Sequence, residues 1–139
     1  MFERIVVGVS AAETARAAAR RADALASQLG AELHVVTVYT ERSGGHLGEP
    51  VIASAEAGPE RSRAEALVES ISGTCAARTR GYALAGDPAK EILRVAKEVD
   101  ADLIVVGDKG MHGVRRVLGS VASDVGHGAT CDVLVVKTT

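Results

Sequence analysis

The sequence predicts an α/β fold in which a doubly wound, five-stranded parallel sheet carries helices on both faces. Short runs rich in valine, isoleucine and leucine alternate with segments whose apolar residues recur every three or four positions, which are the periods of strands and helices. Two of the short runs, Leu103–Val106 and Val133–Val136, are apolar at every position, as in parallel strands that helices cover on both sides. A chain of 139 residues is long enough to bury one core, so we expect a single domain over residues 1–139 with right-handed crossovers.

The first strand is predicted at Ile5–Val9 and leads directly into a helix. Ser10 and Glu13 form a capping-box pattern, in which the two side chains satisfy free N–H groups at a helix start. Gly30 is placed to end that helix, because glycine readily takes the left-handed conformation needed there. The predicted buried face consists mostly of small side chains: Ala15, Ala18, Ala19, Ala22, Ala26 and Leu29.

A second strand is predicted at Leu33–Tyr39, followed by a loop. The segment Thr40–Pro59 has no apolar periodicity and is rich in glycine and proline, which is typical of a loop. Apolar residues then return at helical spacing, at Ala64, Leu67, Val68, Ile71 and Cys75. The next strand, Thr79–Ala85, is more polar than the others, which favours a position at the edge of the sheet.

The second half of the chain continues the alternation. In the Gly86–Pro88 turn, Asp87 can cap a third helix and Pro88 can occupy its first position. The apolar residues of this helix are Ala89, Ile92, Leu93 and Ala96. Leu103–Val106 is predicted as a buried strand and Val133–Val136 as the last strand. Between these two strands, a fourth helix is indicated by Val121, Ala122, Val125 and Ala129.

Composition argues against several classes of function. The chain has 16 basic and 18 acidic residues and a formal charge of −2, so it has no overall positive field to attract nucleic acid or an anionic membrane. The amino-terminal residues do not resemble a signal peptide, and no segment reaches membrane-spanning length. We therefore expect a cytoplasmic protein. Cys75 and Cys131 lack metal-binding spacing and are predicted to be ordinary, partly buried thiols, with a single disulfide as the alternative.

The segment Gly107–Ser120 is the candidate functional element. It joins a predicted buried strand to a helix and contains four glycines in fourteen residues. Gly107, Gly110 and Gly119 can adopt positive φ and turn their N–H groups towards an anion, and the positive end of the next helix adds to this attraction. The charged residues of the segment sum to +2 and are Asp108, Lys109, Arg115 and Arg116. A phosphate site is predicted, and the alternative is a tight connection in which Ser120 only caps the helix.

Three segments resemble the nucleotide signature and final strand of universal stress proteins: Val105–Gly110, Gly119–Ser120 and Cys131–Val136. The resemblance extends over essentially the whole chain. It implies the sheet order 3-2-1-4-5 and a ligand crevice at the carboxyl ends of the strands, where that order reverses between Ser10 and Gly107. It also implies an adenine nucleotide as ligand, ATP in the first place, and a homodimer formed through Val133–Val136.

The resemblance further implies which residues contact the nucleotide. Gly107, Gly110 and Gly119 correspond to contacts of the phosphates and ribose, as does Ser120 through its hydroxyl and backbone N–H. Val38, at the end of the second strand, corresponds to a backbone contact of adenine. The complete set of predicted binding residues is Val9, Ser10, Val38, Gly107, Lys109, Gly110, Gly119, Ser120 and Val121. No catalytic or metal-ligating residue is predicted.

Two departures from the family pattern leave the ligand open. ATP-binding members carry an aspartate after the first strand, whereas this chain has Ser10 followed by Ala11 and Ala12, and a serine lacks the two acceptor oxygens of a carboxylate. The family signature has nine residues before its final glycine and serine, whereas eight, residues 111–118, stand here. ATP, with or without Mg²⁺, is therefore predicted alongside AMP, cAMP and a nucleotide-free dimeric interaction module.

Other phosphate-binding folds fit the sequence less well. A phosphorelay receiver needs acidic residues after the first strand, where Ser10 and Ala11 stand. The GxGxxG motif after the first strand of dinucleotide-binding folds and the GxxxxGK[ST] motif of P-loop enzymes are both missing from the sequence. The sequence gives no evident pair of histidine and carboxylate that would serve Ser120 as base and orienter. We expect a protein that binds rather than catalyses, with very weak ATPase or autokinase activity as the alternative.

Overall fold

The computed structural model describes residues 1–10, 13–40, 58–108 and 118–137, apart from the side chains of residues 13–15. Its strands are β1 (Arg4–Val9), β2 (Glu32–Tyr39), β3 (Arg78–Ala85), β4 (Leu103–Gly107) and β5 (Asp132–Val136). Its helices are α1 (Glu13–Leu29), α2 (Pro59–Thr74), α3 (Pro88–Glu98) and α4 (Ser120–Gly128). The strands form one parallel sheet in the order β3-β2-β1-β4-β5. The predicted fold class and strand order are both confirmed.

Each face of the sheet has its own layer of helices. Helices α1 and α2 pack on one face, and α3 and α4 pack on the other. Because side chains alternate between the faces along a strand, Val7 packs with the first layer and Val6 with the second, and both are fully buried. Alanine and valine dominate the buried core on both faces, in a chain that has only three aromatic residues, one Phe and two Tyr.

Two glycines allow helices to approach the sheet closely. A Cβ atom added to Gly8 of β1 would lie 2.5 Å from Cδ1 of Ile92 on α3. A Cβ atom added to Gly81 of β3 would overlap with Cγ1 of Val68 on α2. Protein interiors are packed too tightly to absorb such overlaps without movement, so these two positions fix the distance between the helices and the sheet.

Two helix ends have the predicted signals. Gly30 has a φ of +68°, and the N–H of Ala31 donates to the carbonyl of Ala26 at 2.8 Å, as in a Schellman ending. At the start of α3, the Asp87 carboxylate accepts a hydrogen bond from the N–H of Lys90 at 3.0 Å. The predicted glycine stop and aspartate cap are therefore confirmed.

Three predictions about helical residues are wrong. Leu29 is 41% exposed, because α1 ends at this residue and the chain turns at once into β2, which leaves the side chain at the end of the helical layer. Pro59 belongs to α2 rather than to the preceding loop, and Gly58 is the cap residue, since proline fits the first helical position. Cys75 caps the end of α2, and its Sγ donates to the carbonyl of Ile71 at 3.2 Å.

Two of the remaining expectations are confirmed, and one falls mostly on residues that the structure does not describe. Strand β3 lies at an edge of the sheet, and Cys75 and Cys131 are half-buried and free, as predicted. Within the described parts of the chain, no helix is long and apolar enough to cross a membrane. Most of the predicted loop after β2, residues 41–57, lies outside the described residues.

Candidate functional site

The candidate site lies where the order of the parallel strands reverses. Strands β1 and β4 are neighbours at the centre of the sheet, and their described pairing ends at Val7 and Val105. Both strands continue past this pair, β1 to Val9 and β4 to Gly107. In doubly wound sheets, the helices that follow such a pair leave on opposite faces and open a crevice at the carboxyl ends of the strands. The predicted binding residues that the structure describes lie at this edge.

Both ends of the predicted phosphate segment are held by backbone hydrogen bonds. Gly107 is paired in register with Val136 of β5, and the N–H of Asp108 donates to the Val136 carbonyl at 3.0 Å. The N–H of Gly119 donates to the carbonyl of Asp108, also at 3.0 Å. The start of α4 is therefore attached to the end of β4, although eleven positions separate Asp108 from Gly119 in the sequence.

Helix α4 begins with a cap residue that has no side chain. Gly119 is the N-cap, with no side-chain cap hydrogen bond, and its carbonyl accepts from the N–H of Ser123 at 2.9 Å. The N–H groups of residues 120–122 precede this first helical bond. They have no carbonyl partner within the helix, because a helical N–H bonds to the carbonyl four residues earlier. Gly119 is buried and Ser120 is exposed. The positive end of α4 is thus offered at the edge where the strand order reverses.

Two expectations about this helix start are wrong. Gly119 was expected to take positive φ, but its φ is −58° and its ψ is 155°, because a cap residue lies in the extended region that any residue can adopt. Its contribution is the absence of a side chain, since serine, asparagine or aspartate here would place an oxygen over the free N–H groups. Ser120 does not cap the helix, because it is the first helical residue.

The starts of α2 and α3 are compensated by their own residues, in contrast to α4. Helix α2 begins with Pro59, which has no N–H, and carries Glu60 in its first turn. Helix α3 begins with Pro88 and is capped by the carboxylate of Asp87. Helix α4 has no acidic residue in its first turn and begins with Ser120. Carboxylates stabilise the positive end of a helix, and among the described residues α4 is the one of these three helices whose start has neither a proline nor an acidic residue.

The other described binding residues lie at the same carboxyl edge, at the end of β1, near the end of β2 and in the first turn of α4. Val9 is 7% exposed, Ser10 is exposed, and Val9 is paired with Thr37 of β2. Val38 follows Thr37 and is half-buried, so it lies one residue further towards the carboxyl edge. Val121 is the second residue of α4 and is half-buried.

Two predicted binding residues cannot be placed. Lys109 and Gly110 lie outside the described residues, as do residues 111–117 between them and the start of α4. The structure therefore brings seven of the nine predicted residues to one edge of the sheet. It gives no contact for the remaining two.

One feature of this edge was not connected to the site by the sequence analysis. Val38 is paired with Leu84 of β3, and the N–H of Gly86 donates to the carbonyl of Tyr39 at 3.0 Å. Gly86 has a φ of +140°, which only glycine adopts readily. The Gly86 turn therefore stands beside the predicted adenine contact. The sequence signals the turn, but its position follows only from the register of β2 and β3.

Burial disfavours the charged form of the Cys75 and Cys131 thiols. Burial raises the pKa of the Cys75 thiol, and the carboxylate of Asp23 raises it further. Burial also raises the pKa of the Cys131 thiol, to which Asp132 adds. Both cysteines therefore remain protonated and are poor nucleophiles. In the described ranges, no group of three histidine, cysteine, aspartate or glutamate residues is arranged to hold a metal ion.

A separate open depression of about 660 Å³ lies at the opposite, amino edge of the sheet. Its lining residues are Met1, Phe2, Ala101, Asp102, Thr130, Cys131 and Asp132. The Asp102 carboxylate already accepts hydrogen bonds from the N–H groups of Glu3 and Arg4, at 2.7 and 3.1 Å. Because the depression shares no residue with the carboxyl edge and its central carboxylate serves the backbone, it does not compete as the candidate site.

Comparison with known proteins agrees with this fold. A family model described as the universal stress protein family matches residues 1–137. A universal stress protein of Thermus aquaticus is 35% identical over 138 residues, which cover 99% of this chain and 100% of that protein. A universal stress protein solved in complex with cAMP gives a TM-score of 0.80 at 25% identity, with 99% of both chains covered. The universal stress protein from Archaeoglobus fulgidus in complex with dAMP gives a TM-score of 0.70 at 27% identity, with 97% of this chain and 98% of that chain covered. The chain therefore belongs to the universal stress protein family.

Proposed function

We propose that this chain is an adenine-nucleotide-binding regulatory module of the stress response, with ATP as the first candidate ligand. The observation that carries the proposal is the uncapped start of α4 beside the end of β4. A phosphate group would accept hydrogen bonds from the free N–H groups of residues 120–122 and would be favoured by the positive end of the helix. The nucleoside would extend along the same edge towards Val9 and Val38.

Solved relatives support an adenine nucleotide as the class of ligand. Two universal stress proteins of the same fold are described in complex with cAMP and with dAMP. These ligands share adenine and a phosphate but differ from ATP in the number of phosphates. ATP is placed first because the phosphate segment carries a net charge of +2, which suits a polyphosphate better than a monophosphate. Mg²⁺ would accompany ATP on its phosphates, with Asp108 as the carboxylate at the end of β4.

We further propose that the protein acts by binding in the cytoplasm and not by turnover. Ser120 is exposed at the helix start, and the described residues place no histidine with a carboxylate beside it. Bound nucleotide would change the surface that partner proteins contact. Radiolabelled ATP is expected to remain intact over hours with the purified protein, and measurable release of phosphate above a protein-free control would contradict this part of the proposal.

The binding proposal is tested with variants of the helix cap. Gly119→Asp would place a carboxylate over the free N–H groups of α4, which should preserve the helix but compete with phosphate and repel it. Gly119→Asn gives the same cap without the charge. Gly126→Ala is the matched control, because a Cβ atom there meets nothing within 4 Å. Thermal shifts with ATP, ADP, AMP and cAMP, together with mass spectrometry of molecules released on denaturation, measure binding.

The expected result is stabilisation of the wild type and of Gly126→Ala by nucleotide, a weaker effect in Gly119→Asn, and the weakest in Gly119→Asp. The order of the four ligands then identifies the preferred one. A wild type that releases no nucleotide and shows no shift with any of the four would overturn the proposal and favour the nucleotide-free module. Equal thermal shifts in Gly119→Asp and in the wild type would mean that the phosphate does not bind at the start of α4.

We also propose that the chain forms a homodimer through β5. This strand is an edge of the sheet, and Val133, Leu134 and Val135 are all half-buried, so its apolar side chains are incompletely covered. The other edge strand, β3, carries the exposed Arg78 and Arg80, and charges of this kind protect an edge against pairing. The contrast between the two edges favours a second copy of the chain at β5.

Sedimentation of the Val135→Lys variant tests the dimer, with far-UV circular dichroism as the measure of folding. A folded Val135→Lys protein is expected to be monomeric under conditions in which the wild type is dimeric. Ala83→Lys, on the opposite edge strand, is the matched control and should leave the dimer intact. A monomeric wild type, or a folded Val135→Lys dimer, would contradict pairing through β5.

A further inference from the structure

A buried histidine connects β2 to the edge strand β3. His34 is 6% exposed, and its Nδ1 lies 2.9 Å from the hydroxyl oxygen of Tyr82. The centres of the two rings are 5.7 Å apart. Among the described residues, the buried Nε2 of His34 has no hydrogen-bond partner, and it lies 3.7 Å from Oε2 of Glu32. The ring is therefore bonded on one side and unsatisfied on the other.

Charged groups from several elements act on this pair of rings. Glu32 stands on the same strand and favours a charged His34, whereas Arg80 of β3 and Arg4 of β1 disfavour it. The guanidinium of Arg80 lies 5.9 Å from the ring centre of Tyr82. Glu98 of α3 acts on Tyr82 from the helical layer. A proton added to His34 would thus enter a buried site with one carboxylate close to the ring and two guanidinium groups opposing it.

We propose that Glu32, His34 and Tyr82 form a proton-sensitive latch, which holds β3 against β2 while His34 is neutral and loosens it when the ring is protonated. In the neutral ring, one nitrogen can accept a hydrogen bond while the other donates. In the imidazolium both nitrogens donate, so the Tyr82 hydroxyl can no longer donate to Nδ1. The second donor, Nε2–H, faces a Glu32 oxygen beyond hydrogen-bond distance. Protonation of Nδ1 therefore adds a buried charge to the contact between the strands and removes the hydrogen bond that the Tyr82 hydroxyl donates to this nitrogen.

The direction of the pH effect follows from this environment. Burial lowers the pKa of His34 below its ordinary value of 6.5, and this effect exceeds the opposing effect of Glu32. A group whose folded pKa is lowered in this way binds a proton more readily when the strand is open. The latch therefore stabilises the contact between β2 and β3 fully above pH 6.5. This stabilisation is lost as the pH falls from 6.5 towards the pKa of His34 in the folded protein. Burial also raises the pKa of Tyr82, so its hydroxyl keeps its proton throughout this range.

Hydrogen exchange of the β3 amides tests the latch at pH 7.5 and pH 5.5, after correction for the intrinsic pH dependence of exchange. The opening constant of β3 is expected to rise up to about tenfold at the lower pH, the limit reached when the open-state pKa is near 6.5 and the ring of the folded protein stays neutral at both pH values. His34→Gln should abolish this rise because glutamine does not titrate. The matched control His127→Gln, at an exposed histidine of α4, should retain it.

An NMR titration of the wild-type imidazole gives a second readout that does not depend on the folding of a variant. The His34 ring is expected to reach half-protonation below pH 6.5. A midpoint at or above 6.5, or equal pH dependence of β3 exchange in the wild type and in His34→Gln, would overturn the proposal. Both measurements use protein freed of small molecules, so they are independent of whether the chain binds a nucleotide.

Discussion

Gly81→Ala is expected to destabilise the protein, because Gly81 is the point at which α2 touches the edge strand. The added Cβ atom would overlap with Cγ1 of Val68 and would lie 3.2 Å from Oγ of Ser72 and 3.6 Å from Cβ of Val68. Val68 is 7% exposed, and a valine in a helix strongly prefers one rotamer, so its side chain cannot simply rotate away. The helix or the strand has to move instead.

The expected size follows from two opposing contributions. Overpacking in a well-packed region costs about 1–3 kcal/mol. Replacing glycine by alanine returns about 0.4–1 kcal/mol through the reduced freedom of the unfolded chain. With the middle of each range, about 2 and about 0.7 kcal/mol, the net loss in the free energy of unfolding is about 1.3 kcal/mol, measured by urea denaturation followed by circular dichroism. Gly126→Ala, in the interior of α4 with open space around its Cβ position, should instead stabilise by up to about 1 kcal/mol.

A double-mutant cycle separates steric overlap from other causes. Val68→Ala removes the Cγ1 atom that the new Cβ atom would meet, at the expense of a cavity. If overlap is the cause, the combined variant should be less destabilised than the sum of the two single variants, by an amount comparable to the Gly81→Ala effect. Strict additivity of the two changes, or a Gly81→Ala protein as stable as the wild type, would refute the argument that this contact sets the spacing between α2 and β3.

Three further predictions concern polar and ionisable side chains. Asp102→Asn should lower the free energy of unfolding by about 1–3 kcal/mol, because the carboxylate accepts two backbone N–H groups at the start of β1; a urea midpoint equal to that of the wild type would contradict this. Asp87→Ala should lower the free energy of unfolding by about 1 kcal/mol because the cap of α3 is lost. Asp87→Asn should remain close to the wild type in stability, and equal losses in both variants would exclude capping as the cause. Because burial raises the pKa of both thiols, alkylation of Cys75 and Cys131 by iodoacetamide at pH 8 should be much slower in the folded than in the urea-unfolded protein. The rate in the folded protein should still increase with pH above pH 9. Equal rates in the two states would contradict this prediction.

The strands and most helices could be predicted because their signals are local. Ile5–Val9 is apolar at nearly every position, and four of these residues are buried in β1, as expected for a central parallel strand. Asp87 with Pro88 marks the start of α3 from adjacent residues alone. The prediction that Leu29 is buried was wrong because the apolar period continues to the last residue of α1, while the chain turns away from the helical layer directly after it. Periodicity does not contain this information.

The sequence predicted the edge of the sheet at which the candidate site lies, but not how its glycines contribute to it. The glycines of the phosphate segment suggested positive φ, but Gly107 is a residue of strand β4 without positive φ. Gly119 has an ordinary extended conformation, and it matters because it has no side chain to cap the helix. Whether a glycine provides conformational freedom or open space depends on its place relative to the helix start, which a sequence signal fixes only to within a few residues. The contact between His34 and Tyr82 has no local signal at all, because 48 positions separate the two residues and only the register of β2 and β3 brings them together.

The two parts of the proposed nucleotide site rest on different parts of the sheet. The phosphate side is built from β4, β5 and α4, which are joined by the backbone bonds of Asp108 to Val136 and of Gly119 to Asp108. The adenine side is built from β2 at Val38, which is supported by β3 through the pairing with Leu84. The His34 latch acts on the second part only, since it joins β2 to β3 and touches neither β4 nor β5. Under the proposed function, acidification would therefore loosen the support of adenine while the phosphate cradle stays in place, so a loss of affinity at low pH should fall on the nucleoside and not on the phosphate.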